Sequence, residues 1–456
     1  MTYEESVSAL LSLGRELASP QQPGVHKFGL GNISILAQEL GQPHRTAPCA
    51  HIAGTNGKGS TAAMLESILR AAGMRTGLYT SPHLESINER IRINGENIAD
   101  DDFADAWTRV HSSIERLMAS GELAAHPTFF ECVTAMAFVA FARKGVNFAI
   151  YEVGLGGRLD ATNIVEPVVV ILTPIDFDHE NYLGHSIDEI AAEKAGIIKS
   201  KARVVSASQR PEARAVIVNR CKEMEARLVE VDAAVSIEDP QNAGGFYRAT
   251  ADFSPSGHKI SLAPALPGRF QIGNALAAIV AARLLGQRGF KIDDAALGQG
   301  LATVKWPGRL ERLSAHPDIY LDGAHNPAAS RELLQFWKEN DAGRRIFLVY
   351  GAMRDKNVDE IAGLLFACAD TVVVTEPRNP RAVSAKLLSE MTSHHARNML
   401  IVSDPSEALE SAIKLAKPED VIYATGSLYL VGDLRSYWRS RVSSTIATPS
   451  TASETA

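Results

Sequence analysis

Residues 51–61 read His51-Ile-Ala-Gly-Thr-Asn-Gly-Lys-Gly-Ser-Thr61, with three glycines, one lysine and three hydroxyl residues in a row of eleven. An apolar run precedes this string and a helical pattern follows it, which is the setting a phosphate loop needs. Small residues let backbone N–H groups face phosphate oxygens, and the helix N-terminus adds a favourable dipole. Gly54, Thr55, Asn56, Gly57, Lys58, Gly59, Ser60 and Thr61 are therefore candidate nucleotide-binding residues. Lys58 is placed to reach the outer phosphates, and Ser60 or Thr61 to set a hydroxyl on Mg²⁺. The spacing departs from G-x-x-x-x-G-K-[ST], because only two residues separate Gly54 from Gly57 and Gly59 follows the lysine. The plainer alternative is a glycine-rich turn that binds nothing.

Two further groups stand at the ends of apolar runs. Glu152 closes one of them, where ligand sites gather in open parallel sheets. A buried carboxylate there is costly unless paired, and a metal ion would pair it; the alternative is an acid bonded to backbone N–H groups. His179 follows a second run and Asp176-Phe-Asp178. Imidazole is an unusual Mg²⁺ ligand, so by residue type alone His179 reads as a hydrogen-bonding loop histidine.

The elements that position these groups are short β-branched runs, each followed by a helical pattern. The runs are 49–54, 147–154, 167–175, 203–208, 319–325, 345–352, 371–377, 398–404 and 421–427. Continuous apolar strands separated by helices predict parallel sheets covered on both faces. Helices are predicted over Ser60–Ala72, Phe129–Lys144, Ser186–Ile198 and Asn274–Leu285. From Val231 to Pro267 the alternating polar pattern predicts antiparallel strands on the edge of the first domain. A fresh strand series begins after Trp306-Pro307-Gly308. The fold class is thus α/β, with an N-terminal phosphate-loop ATPase domain at 1–306 and a smaller Rossmann-like α/β domain at 307–442. Residues 443–456 hold almost no large apolar side chain and are expected to be disordered.

Composition bounds the remaining choices. Hydrophobic residues at 45% and charged residues at 22% describe an ordinary globular protein. A net charge of −7 argues against a nucleic-acid partner, since such surfaces are usually basic. Cys49, Cys132, Cys221 and Cys368 show no paired spacing, so neither a disulfide framework nor a zinc site is expected. The acidic N-terminus is no signal peptide, and no apolar stretch is long enough for a membrane span. A cytoplasmic monomer acting on small molecules is expected.

The string HIAGTNGKGST resembles the phosphate loop of the Mur ligase superfamily and, within it, of the folylpolyglutamate synthase/dihydrofolate synthase family. Thr80-Ser-Pro-His-Leu84, Glu89-Arg-Ile-Arg-Ile-Asn-Gly95 and Glu152-Val-Gly-Leu-Gly-Gly-Arg-Leu-Asp160-Ala-Thr-Asn163 resemble further blocks of that family. So do Asp178-His179, Ala192-Glu-Lys194-Ala-Gly-Ile197, Trp306-Pro-Gly-Arg309-Leu-Glu311, Leu321-Asp322-Gly-Ala-His325-Asn-Pro327 and Gly426-Ser427-Leu-Tyr-Leu430. They occur in the family's order.

The resemblance implies an ATP-dependent ligase that joins glutamate to dihydropteroate or a reduced folate, through an acyl phosphate, in a cleft between two domains. It implies two Mg²⁺ ions, held by Glu152 and Ser81 and by His179. It implies that Lys194 is carbamylated, where the residue alone reads as a helix lysine paired with Glu193. Asn274 is implied on the adenine side, Arg309 at the phosphates, Asp322 and His325 over ATP and glutamate, and Ser427 at glutamate. Phe129 and Asp160 are implied as contacts of the folate acid, although Phe129 equally reads as core. The Lys27–Ile33 segment resembles a pterin-side loop, with Asn32 where the family often carries an arginine. Other readings are a Mur-type amide ligase for a different acid and a phosphate-loop binding protein without ligation.

Overall fold

The computed structural model describes residues 1–14, 29–253 and 257–446. The chain forms two compact units, Met1–Trp306 and Pro307–Ala456. The first is built on an eight-stranded sheet of β1 (Cys49–Ala53), β2 (Thr76–Tyr79), β3 (Ile91–Ile93), β4 (Glu96–Asn97), β5 (Phe148–Glu152), β6 (Val169–Leu172), β7 (Arg203–Ser206) and β8 (Arg227–Glu230). Their spatial order is β4-β3-β2-β5-β1-β6-β7-β8. Strands β2 to β8 along this row are parallel, and β3 and β4 run antiparallel at one edge.

Side-chain alternation sorts the strands onto two covered faces. Ala50, Ile52, Phe148, Ile150, Val169 and Ile171 join one core beneath the helices Lys58–Ala71, Phe270–Gly286 and Asp294–Thr303. On the opposite face Cys49, Ala149 and Tyr151 pack with the helices Asp100–Ser120 and Phe129–Arg143, while Ala53, Val170, Leu172 and Val204 pack with Ile187–Ala195 and Pro211–Glu223. Thr128 starts Phe129–Arg143 with a reciprocal capping box to Glu131. That helix and Phe270–Gly286 are apolar around almost their whole circumference because both are enclosed.

The antiparallel strands expected over Val231–Pro267 are present. They are β9 (Val235–Ala243), β10 (Phe246–Phe253) and β11 (His258–Leu262), and they form a separate three-stranded sheet. Alternate residues of β10, Tyr247, Ala249, Ala251 and Phe253, are buried in the first core, so this sheet caps a helical layer and does not extend the large one.

The second unit holds β12 (Glu311–Ala315), β13 (Asp318–Leu321), β14 (Ile346–Tyr350), β15 (Thr371–Val374), β16 (Met399–Ile401) and β17 (Val421–Thr425), in the order β12-β13-β17-β14-β15-β16. All pair in parallel except β12. The last helix runs from Leu428 to Ile446. The expected disordered tail therefore starts too early: 443–446 continue that helix, and 447–456 lie outside the described residues. Among the described residues no helix is long and apolar enough to cross a membrane.

One close approach fixes the layer over β1. Ser67 of the Lys58–Ala71 helix donates to the Gly300 carbonyl at 2.7 Å. A methyl group on Gly300 would stand 2.6 Å from the Ile68 nitrogen, with backbone that cannot step aside. Gly300→Ala is expected to destabilise the protein by about 1–3 kcal/mol, as overpacking does, despite alanine's better helix propensity. A urea midpoint equal to that of the wild type would show that the helices can separate.

Candidate active site

The strand order places the predicted residues along one edge of the first sheet. Adjacent strands β2, β5, β1 and β6 end near Ser81, Glu152, the 54–57 loop and the segment leading to His179. In register, Ile52 of β1 pairs with Glu152 of β5, and Ala53 pairs with Leu172 of β6. The chain moves to opposite sides of β1 with β5 and β6, so this is a topological switch point, where open α/β sheets form ligand crevices.

The loop is held by backbone contacts to the end of β6. The amides of Thr55 and Asn56 donate to the Pro174 carbonyl at 2.9 and 3.3 Å. Thr55 Oγ1 donates to the Asp176 carbonyl at 2.9 Å and accepts from the Asp176 amide at 3.0 Å. Gly54 adopts φ +150° against Thr173, whose Oγ1 would overlap any Cβ placed there. Gly57 caps the Lys58–Ala71 helix at φ +82° with no side-chain cap bond, so the first-turn amides are presented as an anion site.

Two lysines converge on this loop. Lys58 Nζ donates to the carbonyls of Gly54 and Thr55 at 3.1 and 3.2 Å. Lys194, buried at 4% exposure, donates to the same Gly54 carbonyl at 2.9 Å. Two ammonium groups on one carbonyl create a local field that favours a polyanion, although the chain is acidic overall. Glu193, the expected partner of Lys194, instead pairs with Arg158 at 2.8 Å.

Glu152 is 4% exposed, and its Oε2 accepts from the Ser81 amide at 3.2 Å, so these two expected metal residues are neighbours. His179 has a left-handed backbone at φ +53° ahead of a one-turn helix, with Nε2 3.8 Å from Asp178. Asn274 lies against the loop: its Oδ1 accepts from Thr61 Oγ1 at 3.4 Å, and its Nδ2 donates to Gln271 at 2.8 Å. Gln271 in turn donates to Ser60 Oγ at 3.5 Å. Phe129 is buried in the core beneath the Arg90 guanidinium, 5.3 Å from its ring centre, and Arg90 Nε donates to His83 at 2.8 Å. Of the expected pterin-side loop, Lys27 and Phe28 lie outside the described residues, while Gly31 begins the helix Gly31–Glu39.

Asp160 is buried in the turn that follows Glu152. Its Oδ2 accepts from the Gly154 and Leu155 amides and its Oδ1 from the Thr162 amide, all at 3.0 Å, with the Thr162 hydroxyl as a fourth donor. Burial pushes its pKa up, and these four donors oppose the rise. These bonds tie Asp160 to the turn that follows Glu152.

Behind Asp160 stands His51, to which the sequence assigned no role. Its Nε2 lies 2.8 Å from Thr162 Oγ1. Thr162 gives its proton to Asp160, so His51 Nε2 is the donor and the chain runs from imidazole to hydroxyl to carboxylate. A histidine inside a β-branched run resembles any core position, so only the fold exposes this relay. Burial lowers the His51 pKa to about 3, with Lys199 adding to the effect.

In the second unit, neighbouring parallel strands β13 and β17 bring together residues a hundred positions apart. The Asp322 amide donates to the Ala424 carbonyl and the Gly426 amide to the Ala324 carbonyl, both at 3.0 Å. Asp322 accepts from the amides of Leu310 and Ala324 at 2.9 Å. Burial raises its pKa, and the Arg309 guanidinium is the chief opposing influence. Arg309 crosses the face of Gly323, where a Cβ would overlap its Nη1, and donates to the Gly308 carbonyl at 3.0 Å. His325 Nδ1 donates to the Gly323 carbonyl at 2.7 Å, and Ser427 Oγ accepts from the Tyr429 amide at 3.1 Å. Asp322, His325, Arg309 and Ser427 thus share one strand-end cluster.

A phosphate loop at a switch point, two lysines on its carbonyl and a strand-end carboxylate define a nucleotide-dependent ligase of the Mur type. The Mur ligase middle domain matches residues 52–282, and the Mur ligase glutamate ligase domain matches residues 308–428. The dihydrofolate synthase/folylpolyglutamate synthase of Bacillus subtilis is 37% identical over 90% of this chain and 94% of its own length. The folylpolyglutamate synthase of Lacticaseibacillus casei is 34% identical over 95% and 98%. Mycobacterium tuberculosis folylpolyglutamate synthase, solved with ADP and AMPPCP, superposes with a TM-score of 0.86 at 32% identity, covering 95% of this chain and 99% of that one. Escherichia coli FolC, solved with DHPP and ADP, gives 0.84 at 29% identity over 97% and 99%. The chain belongs to the folylpolyglutamate synthase/dihydrofolate synthase family.

The relay carries a pH signature. His51 is neutral in the fold down to about pH 3 but takes up a proton near the ordinary imidazole value of 6.5 when unfolded. Between those values the unfolded chain binds more protons, so the contribution of His51 to stability falls as pH falls, by about 1.4 kcal/mol per pH unit. His44, lowered to about 4 by burial beside Arg45, adds a similar slope over a narrower window. Chemical denaturation at pH 6.5 to 4.5 should show a shallower slope for His51→Gln, which keeps a donor to Thr162. An identical slope in the variant would remove His51 as its source.

Proposed function

We propose that this chain is an ATP-dependent ligase that joins the amine of L-glutamate to the carboxylate of dihydropteroate and of reduced folates, releasing ADP and phosphate. The observation that carries the reading is Lys58, held on the Gly54 and Thr55 carbonyls beside the uncapped first-turn amides. A free carboxylate is a poor acyl donor, and its attack on the γ-phosphate brings two anions together. Fixed cations and amides aimed at the phosphoryl group lower that barrier. Lys58 is the cation for the outer phosphates, and Ser60 and Thr61, braced by Gln271 and Asn274, orient the first turn. The acyl phosphate then takes the glutamate amine and loses phosphate.

The residues suit magnesium. Glu152 and Ser81 offer hard oxygen donors at one strand end, and His179 is the candidate for a second ion. When bound, magnesium neutralises charge on the transferring phosphoryl group. Lys194 is enclosed beside the loop and is our candidate for carbamylation, which would give it oxygens to support a metal. Arg309 is assigned to phosphate, Asp322 and His325 to ATP and glutamate, and Ser427 to glutamate; their sharing one strand-end cluster supports the reading. Phe129, under Arg90, is assigned to the wall that receives the folate acid.

Incubation with ATP, Mg²⁺ and glutamate, against dihydropteroate and tetrahydrofolate in parallel, should give a one-glutamate mass gain on both acceptors with stoichiometric ADP. Gain on tetrahydrofolate alone would remove the first addition, and stoichiometric AMP would sink the acyl-phosphate route. Lys58→Ala, Glu152→Ala and Lys194→Ala should each lower turnover by about 10²-fold or more with an unchanged melting curve. Near-normal turnover in any of them would cancel its role. A bare Lys194 amine in active crystals grown with bicarbonate would cancel the carbamate.

A further inference from the structure

A second cluster of ligating side chains lies in the second unit, among residues given no part in ligation. Asp359 occupies the first turn of the helix Val358–Leu365. His394 and His395 close the short turn Ser393–His395 that follows the helix Ala385–Thr392. His395 Nε2 lies 3.0 Å and His394 Nε2 3.6 Å from the same oxygen, Asp359 Oδ1. The two rings stand 3.9 Å apart at 42°. Among the described residues, these are the three whose ligand atoms fall within 4.8 Å of one another.

The distances match those of a metal's coordination shell. Ligand bonds of about 2.0–2.1 Å in tetrahedral geometry separate donor atoms by about 3.3 Å. The measured 3.0 and 3.6 Å bracket that value without rearrangement. The His395 ring lies over Gly363, one turn along the same helix, where even a Cβ would meet its Cε1 at an ordinary contact distance of 3.4 Å. A surface His–Asp contact by itself contributes little to stability and gives no reason for a second imidazole at the same oxygen. Two nitrogens and one carboxylate oxygen are instead the donors that select borderline transition metals over Mg²⁺ and Ca²⁺, which prefer oxygen.

We propose that Asp359, His394 and His395 bind one divalent transition-metal ion of the zinc class. The carboxylate can only accept, so His395 Nε2 carries a proton toward it; to ligate a metal through Nε2 the neutral ring holds its one proton on Nδ1 instead, a tautomer shift that exchange with solvent provides without net proton release. Solvent fills the remaining coordination position, because His394 and Asp359 are 61% and 64% exposed. The ion ties the Val358–Leu365 helix to the turn after Ala385–Thr392, a link that only the folded chain can make, so it favours the folded state.

The test uses the full chain, stripped with a chelator and titrated with Zn²⁺ in excess Mg²⁺ against a competing indicator dye. One equivalent should bind, and its affinity should fall by about 10-fold or more in Asp359→Asn, His394→Ala and His395→Ala. Zinc should raise the melting temperature of the wild type by about 2–4 °C and leave the His394→Ala/His395→Ala double variant unmoved. His394 and Asp359 are exposed and His395 is partly buried, and none of the three is in the ligase site, so circular dichroism should report native folding and turnover in Mg²⁺ should persist. No stoichiometric uptake by the wild type, or the same stoichiometry and affinity in the double variant, would overturn the assignment.

Discussion

The Met1–Trp306 unit depends on the contact between the end of β1 and the end of β6. Gly54 lies so close to Thr173 that no side chain fits between them, and the amides of Thr55 and Asn56 are taken by the Pro174 carbonyl. These bonds commit one side of the loop to the sheet and leave the other to a ligand. The helix that starts at Lys58 is aimed by the same contact, so its first-turn amides point where the sheet edge dictates. Helices packed above β1 then keep that direction, through Gly300 on one side and Asn274 and Gln271 on the other.

Electrostatics at the strand ends repeat one device. Asp160 in the first unit and Asp322 in the second are both enclosed, and each accepts backbone amides from its own turn. Burial raises the pKa of both, and local donors or a guanidinium work against it. A carboxylate so engaged is a structural tie whose removal would leave several amides without partners. Glu152 differs in context: it stands at the edge where Ser81 arrives from a neighbouring strand, beside a loop that carries two ammonium groups.

The His51–Thr162–Asp160 relay links these two themes. It runs from inside β1, beneath the phosphate loop, to the turn that follows Glu152. The loop and the carboxylate are therefore positioned by one buried hydrogen-bond chain, and a change in any member reaches both. Such a chain is rigid because each proton has one acceptor within reach and water is excluded.

The sequence alone determined the parallel α/β class, the phosphate loop and the strand-end positions of Glu152 and Asp322. Apolar runs, glycine spacing and the residue after a strand are local properties, and local properties survive in a linear text. It stops short where partners are distant. The 235–262 strands are legible as antiparallel from their alternation, but only packing decides that they cap a helical layer as a separate sheet. The last helix runs on to Ile446 through small and polar residues, which composition reads as a tail. The four donors around Asp160 lie in a turn whose path the sequence does not give. Tertiary structure alone set Lys58 and Lys194 on one carbonyl, gave His51 its buried partner and brought Asp359 to two histidines. Each is a meeting of side chains from separate elements, fixed by strand order and helix packing, which no spacing along the chain encodes.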